Sequence, residues 1–176
     1  MIRKQDLILQ RIKKIVGNNG VTRLVPIRAN ISLYDINVEL NSEDYRALAR
    51  FRYLILRFLQ FSEEAARNEQ LEPQQHQMLL VIRASEDPAG PTVGHVAERL
   101  FIRHHSAVGL ADRLGERGLI ERSRPDEDRR QVRLRLTERG REVLEHLSRV
   151  HHAELRKLAP ELVAALGGLL EGVTAQ

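Results

Sequence analysis

The chain has 176 residues, 42% of them hydrophobic and 30% charged, with a formal net charge of +4. That length suits one domain, or one domain with an appendage, and the composition suits a globular core. Cysteine is absent, which excludes disulfides, thiolate metal sites and thiol-based peroxide sensing. No run of about 18 apolar residues reads as a membrane span, and the N-terminus lacks a secretory core and cleavage site, so the cytoplasm is the expected compartment.

Residues 1–40 read as an N-terminal extension. Leu7, Ile8, Ile12, Ile15 and Val16 recur with helical spacing until Gly17, and the stretch that follows is β-branched, with Pro26 as an interruption. Arg3, Lys4, Arg11, Lys13 and Lys14 allow a basic arm toward nucleic acid, but an extra strap between subunits or a solvated helix fits equally.

Residues 41–72 predict a long helix, with Ser42 as N-cap and acids in its first turn. Leu48, Phe51, Ile55, Phe58, Ser62 and Ala65 form one face, while Leu54, Leu59 and Phe61 lie on others. A helix apolar on several sides needs several partners, one of them a second copy of the chain. The alternative is a central core helix in a monomer.

Residues 73–136 carry the densest signals. Pro73 opens a helix that turns Met78, Leu79 and Ile82 inward, and Thr92 caps a short one. A third puts Ala107, Leu110, Ala111 and Leu114 on one face and stops at Gly118. Two short helices joined by a tight turn make a helix-turn-helix. "LIERSR" and "QVRLRLT" around "PDEDRR" then predict a hairpin behind it, a wing. From Arg117 to Arg141 nine arginines face five acids, a basic stripe of the kind a nucleic acid requires, although a solvated face could also carry it. Residues 137–176 predict two closing helices, the first capped by Thr137 and the second started by Pro160, both suited to dimerisation. The fold class is therefore mainly α with a small β-hairpin: a winged helix-turn-helix with dimerisation helices at both ends.

Packing of the third helix leaves Arg103, His104, His105, Ser106, Gly109 and Arg113 facing outward, and reading helices meet base edges with their N-terminal residues. Gly109 costs about 1 kcal/mol of helix propensity and either permits close approach to a duplex or contributes nothing. Arg124 and Arg133 are placed on the backbone beside a wing tip of Arg129 and Arg130. Adjacent histidines point about 100° apart, so His104 with His105, or His151 with His152, cannot easily share a metal ion. No nucleophile, base and orienter share a recognisable spacing and no phosphate loop is present, so no enzyme and no cofactor is expected.

The run "VAERL" at Val96 to Leu100, the segment from Asp112 to Arg122, the "DEDRR" at Asp126 to Arg130 and the "LTERGRE" that follows resemble the MarR (multiple-antibiotic-resistance regulator) family of bacterial winged-helix transcription factors. The resemblance spans roughly Asp44 to Val173. It implies a homodimer on a palindromic double-stranded DNA operator, usually as repressor, with release by a small anionic or phenolic effector. Asp128 and Arg130 match the family's Asp-x-Arg wing pattern, which favours Arg130 in the minor groove and Arg129 on phosphate. The family's pocket position brings in Phe51, Ile55, Phe58, His76, Leu80 and Arg83, where an arginine or histidine suits an aromatic carboxylate. The competing reading is an architectural winged-helix protein that binds DNA without sequence preference.

Overall fold

The computed structural model describes residues 40–85, 87–123 and 131–171. The expected N-terminal helix and the wing tip, with Arg124, Asp128, Arg129 and Arg130, lie outside these residues. In chain order the elements are α1 (Ser42–Asn68), α2 (Pro73–Arg83), α3 (Val93–Arg99), α4 (His104–Glu116), β1 (Ile120–Ser123), β2 (Arg133–Leu136) and α5 (Glu138–Glu171). The described residues fall into two compact units, one within Arg52–Glu161 and a smaller one made of residues 40–51 with 162–171.

α1 is capped by Asn41 and not by Ser42. The Asn41 side chain accepts from the backbone N–H of Glu43 (2.7 Å) and Asp44 (3.2 Å), while the Asn41 N–H donates to the Asp44 carboxylate at 2.8 Å. The reciprocal cap needs an acceptor side chain three residues after the cap, which Asp44 supplies for Asn41 and Tyr45 cannot supply for Ser42. The buried stripe of α1 also differs from the expected one. Leu54 and Ala66 are fully buried with Phe58, Phe61, Ser62 and Ala65 partly so, while Leu48 and Ile55 stay exposed. A helix apolar on several sides has no single periodic face, and its neighbours choose the stripe.

α2 starts at Pro73 as expected, with Glu72 and Gln75 capping each other, and buries Met78, Leu79 and Ile82. The Thr92 hydroxyl accepts from the His95 N–H at 3.1 Å and starts α3. α3 ends in a paired hydrogen-bond cap: Ile102 N–H donates to Ala97 O (3.0 Å) and Phe101 N–H to Glu98 O (3.2 Å). That cap puts its turning residue in the left-handed region, and here the residue is Phe101 at φ 53°. A side chain there costs roughly 1–3 kcal/mol, which is why glycine or asparagine usually holds the place.

α4 buries Ala107, Leu110, Ala111 and Leu114, the predicted quartet, and ends before Gly118 at φ 67°. β1 and β2 pair antiparallel in the register Ile120–Leu136, Glu121–Arg135, Arg122–Leu134 and Ser123–Arg133. The chain ahead of α3 adds itself to β2 through Leu134 N–H to Pro91 O (3.0 Å) and Val93 N–H to Val132 O (3.2 Å). One core joins α2, α3, α4, the hairpin and the start of α5, where Leu144 and Leu147 close it.

Thr137 caps α5 as expected, accepting from Gly140 N–H at 3.0 Å and donating to Gly118 O at 2.7 Å. Gly140 has no room for a side chain: a Cβ would sit 2.0 Å from the Leu119 carbonyl oxygen. This accounts for the glycine inside "LTERGRE". The expected break at Pro160 does not occur, and α5 runs through it for 34 residues. Proline removes one helical hydrogen bond, and the strong helix formers around it (Leu158, Ala159, Leu162, Ala164 and Ala165) carry the helix past it.

Candidate nucleic-acid interface

With its apolar quartet inward, α4 presents Arg103, His104, His105 and Arg113 to solvent, and Ser106 and Gly109 are half-buried beside them. Arg103 is the N-cap residue, and no side chain caps the helix start. The Ser106 N–H turns back to Arg103 O at 3.0 Å, and the N–H groups of His104 and His105 face the open end of the helix, next to exposed cationic and imidazole side chains. Gly109 has space for a methyl group, since a Cβ would lie 3.6 Å from the Arg113 guanidinium, an ordinary contact. Nothing within the chain requires glycine there. A cleft of about 420 Å³ separates α4 from the hairpin, with His104 and Val108 on one wall and Arg122, Gln131 and Val132 on the other.

Six of the nine arginines of the stripe lie among the described residues, and each donates to a main-chain carbonyl. Arg117 reaches Gln70 O (2.5 Å) and Glu69 O (3.3 Å), and Arg122 reaches Val108 O (3.1 Å) while pairing with Asp112 at 2.6 Å. Arg135 binds Ala89 O (3.2 Å) and Pro88 O (2.9 Å), Arg139 binds Arg117 O (3.4 Å) and Arg141 binds Leu136 O (3.0 Å). Arg133, expected on a nucleic-acid backbone, instead pairs with Asp87 and donates to Gly90 O at 2.8 Å. The Asp87 carboxylate is held below the usual range, first by the Ala89 N–H and then by Arg133. Guanidinium suits this work because its fork of donors can join two carbonyls or a carbonyl and a carboxylate at once. Among the described residues the stripe thus ties helices, loops and hairpin of the lobe to one another, a role that composition alone could not separate from binding.

The expected effector residues do not gather as a group. Phe58 and His76 meet at a third residue, His151. The His76 ring lies 4.6 Å from that of His151, and Phe58 and Phe61 stand edge-on to it at 5.9 Å. Ile55, Leu80 and Arg83 are exposed, and Phe51 belongs to the smaller unit. His151 Nδ1 lies 2.6 Å from Leu147 O, an acceptor only, so Nδ1 carries a proton, and Nε2 is hydrogen-bonded with the Ser62 hydroxyl at 2.8 Å. His76 Nε2 has no partner among the described residues, and burial, with His151 alongside, pulls its pKa down to about 4. Sequence reasoning missed His151, although its place in the series Leu144, Leu147, His151, Glu154, Leu158 marked it as inward-facing. Among the described residues no cluster of three or more metal-ligating side chains occurs, and no helix is long and apolar enough to cross a membrane.

Comparison with known proteins agrees with this geometry. Residues 69–131 match the model of the MarR family. The helix-turn-helix of this chain thus lies within a segment similar to the MarR family. The chain is 34% identical over 73 residues to the uncharacterized HTH-type transcriptional regulator YfiV of Bacillus subtilis (strain 168), covering 39% of this chain and 46% of that protein. The chain thus spans just under half the length of that curated relative. Among solved structures, a mutant of S. aureus MepR bound to an oligodeoxyribonucleotide is similar in fold, with a TM-score of 0.58 at 19% identity, covering 77% of this chain and all of that one. CouR from Rhodococcus jostii RHA1, bound to p-coumaroyl-CoA, is 26% identical with a TM-score of 0.51, covering 57% of this chain and 68% of that one. Of these, YfiV is described as a transcriptional regulator and the MepR mutant is bound to DNA.

Proposed function

We propose that the protein is a cytoplasmic, sequence-specific transcription regulator that binds a palindromic operator as a homodimer and acts as a repressor. The observation that carries this reading is the division of α4: its apolar quartet is buried while Arg103, His104, His105 and Arg113 are exposed together. In this reading α4 enters the major groove with Arg103 and His105 on bases and Ser106 on phosphate. Arg124, Arg129 and Arg130, the three arginines of the stripe outside the described residues, serve the minor groove and backbone with Asp128 fixing the turn. Arg133 keeps its structural role. Ile55, Leu56 and Leu59 along α1 and Leu155 on α5 are exposed large apolar side chains, the surface a second copy would cover. A small aromatic carboxylate or thioester is the proposed effector class, supported by the CouR ligand; the buried part of its site is the cluster of Phe58, His76 and His151.

The test is a titration of the full chain against its own upstream intergenic DNA and a scrambled duplex at several salt concentrations. A preference of about 10³ or more for one palindromic stretch, lost in Arg130→Ala, is expected of a regulator. Equal, steeply salt-dependent binding to both duplexes would establish the architectural reading instead.

A further inference from the structure

Phe101 combines two disfavoured properties. It occupies the left-handed position at the end of α3 that glycine or asparagine fits without strain, and its ring is 73% exposed, the most exposed large apolar side chain among the described residues. Neither local backbone preference nor core packing accounts for phenylalanine at this place, because the hydrogen-bonded cap formed by Phe101 and Ile102 uses main-chain groups only. Its exposed neighbours along the chain are mostly cationic: Arg99 precedes it by two residues, Arg103 follows it by two and His104 begins the next helix, with Glu98 the one acid nearby. An apolar ring set between two arginines matches a surface that alternates apolar and anionic groups along its length. The sugar–phosphate backbone of a duplex is such a surface, with deoxyribose carbons between phosphates.

We propose that Phe101 is a DNA-contacting residue of the helix-turn-helix, its ring packing on deoxyribose while Arg99 and Arg103 hold the flanking phosphates. This rests on the reading of α4 as the element that enters the groove. The contact is sequence-independent and positions the turn, so it adds affinity to every duplex and sets how deeply the start of α4 seats. It also explains why a strained residue is tolerated here, since strained residues cluster where a binding surface needs them.

The test is Phe101→Asn in the full chain, with the upstream intergenic duplex and its scramble as probes. Asparagine accepts the left-handed backbone, so the thermal midpoint is expected to rise by a few degrees. Affinity is expected to fall about fivefold on both duplexes with the salt slope unchanged, because no charge has been removed. Phe101→Leu should keep part of the affinity. Unchanged affinity overturns the proposal, and so does a lowered thermal midpoint, which would make Phe101 a packing residue. A loss confined to the specific duplex overturns the deoxyribose contact in favour of a base contact. If the unsubstituted chain binds neither duplex, the proposed function itself fails and takes this inference with it.

Discussion

The rings of His76 and His151 lie 4.6 Å apart in the core of the larger unit, and only His151 has its ring nitrogens satisfied. The folded state therefore holds His76 neutral, with its pKa pulled to about 4 by burial first and by His151 second. Unfolded, the same imidazole takes up a proton near pH 6.5. Because the folded pKa is depressed, the stabilisation is complete above about pH 6.5 and is lost as pH falls toward 4. The loss from this group amounts to roughly 3 kcal/mol over that window. Urea denaturation at pH 7 and pH 4.5 checks this: the wild-type midpoint should drop, and His76→Leu should drop less. Equal drops would mean that other groups govern the acid limb.

Asp87 and Arg133 tie the loop before α3 to the second wing strand, with Arg135 holding Pro88 and Ala89 alongside. Both partners of the ion pair are partly solvated, so Asp87→Ala should change the stability of the fold little. Its larger effect is expected on DNA affinity, through a wing no longer held in register. Arg133→Ala should weaken binding without changing the salt slope, since its charge is already paired within the chain. Arg103→Ala should lower that slope by about one unit. Matching slopes for the two variants would show that Arg133 leaves Asp87 to meet phosphate.

Gly140 approaches the Leu119 carbonyl oxygen so closely that a methyl group would sit 2.0 Å from it. Gly140→Ala must push the start of α5 away from β1 and should lower stability by about 1–3 kcal/mol. A thermal melt reads this directly, and an unchanged midpoint would show that the junction can shift freely.

Gly109 is the opposite case. A Cβ there meets only the Arg113 guanidinium at 3.6 Å. Gly109→Ala should stabilise α4 by about 1 kcal/mol. If the same variant loses DNA affinity while its melting temperature rises, the glycine serves close approach to the duplex. If affinity is retained, the position contributes nothing to binding.

Local chemistry was sufficient wherever a single element decided the outcome. The α4 quartet, Pro73 at a helix start, Thr92 and Thr137 as caps, Gly118 as a stop and the order of helix-turn-helix and wing were all legible in the sequence, because spacing and turn chemistry act within a few residues. Where two local solutions compete, the neighbouring side chains chose. Asn41 took the cap because Asp44 could answer it, and α5 passed through Pro160 where a break was expected.

The charged and polar groups show the boundary most clearly. Composition marks Arg117 to Arg141 as basic, but whether a guanidinium faces solvent or a carbonyl of the α2–α3 loop is set by the tertiary path of a chain more than forty residues away, as Arg133 and Gly90 show. His151 likewise reads as one of an exposed pair until Ser62, 89 residues earlier, comes within 2.8 Å of it. The sequence by itself determined which elements form in the winged helix-turn-helix and which face of each of its short helices is apolar. Only the tertiary structure decided which arginines are fastened inside the lobe and which histidines are buried, because those choices depend on hydrogen-bond partners brought from distant segments.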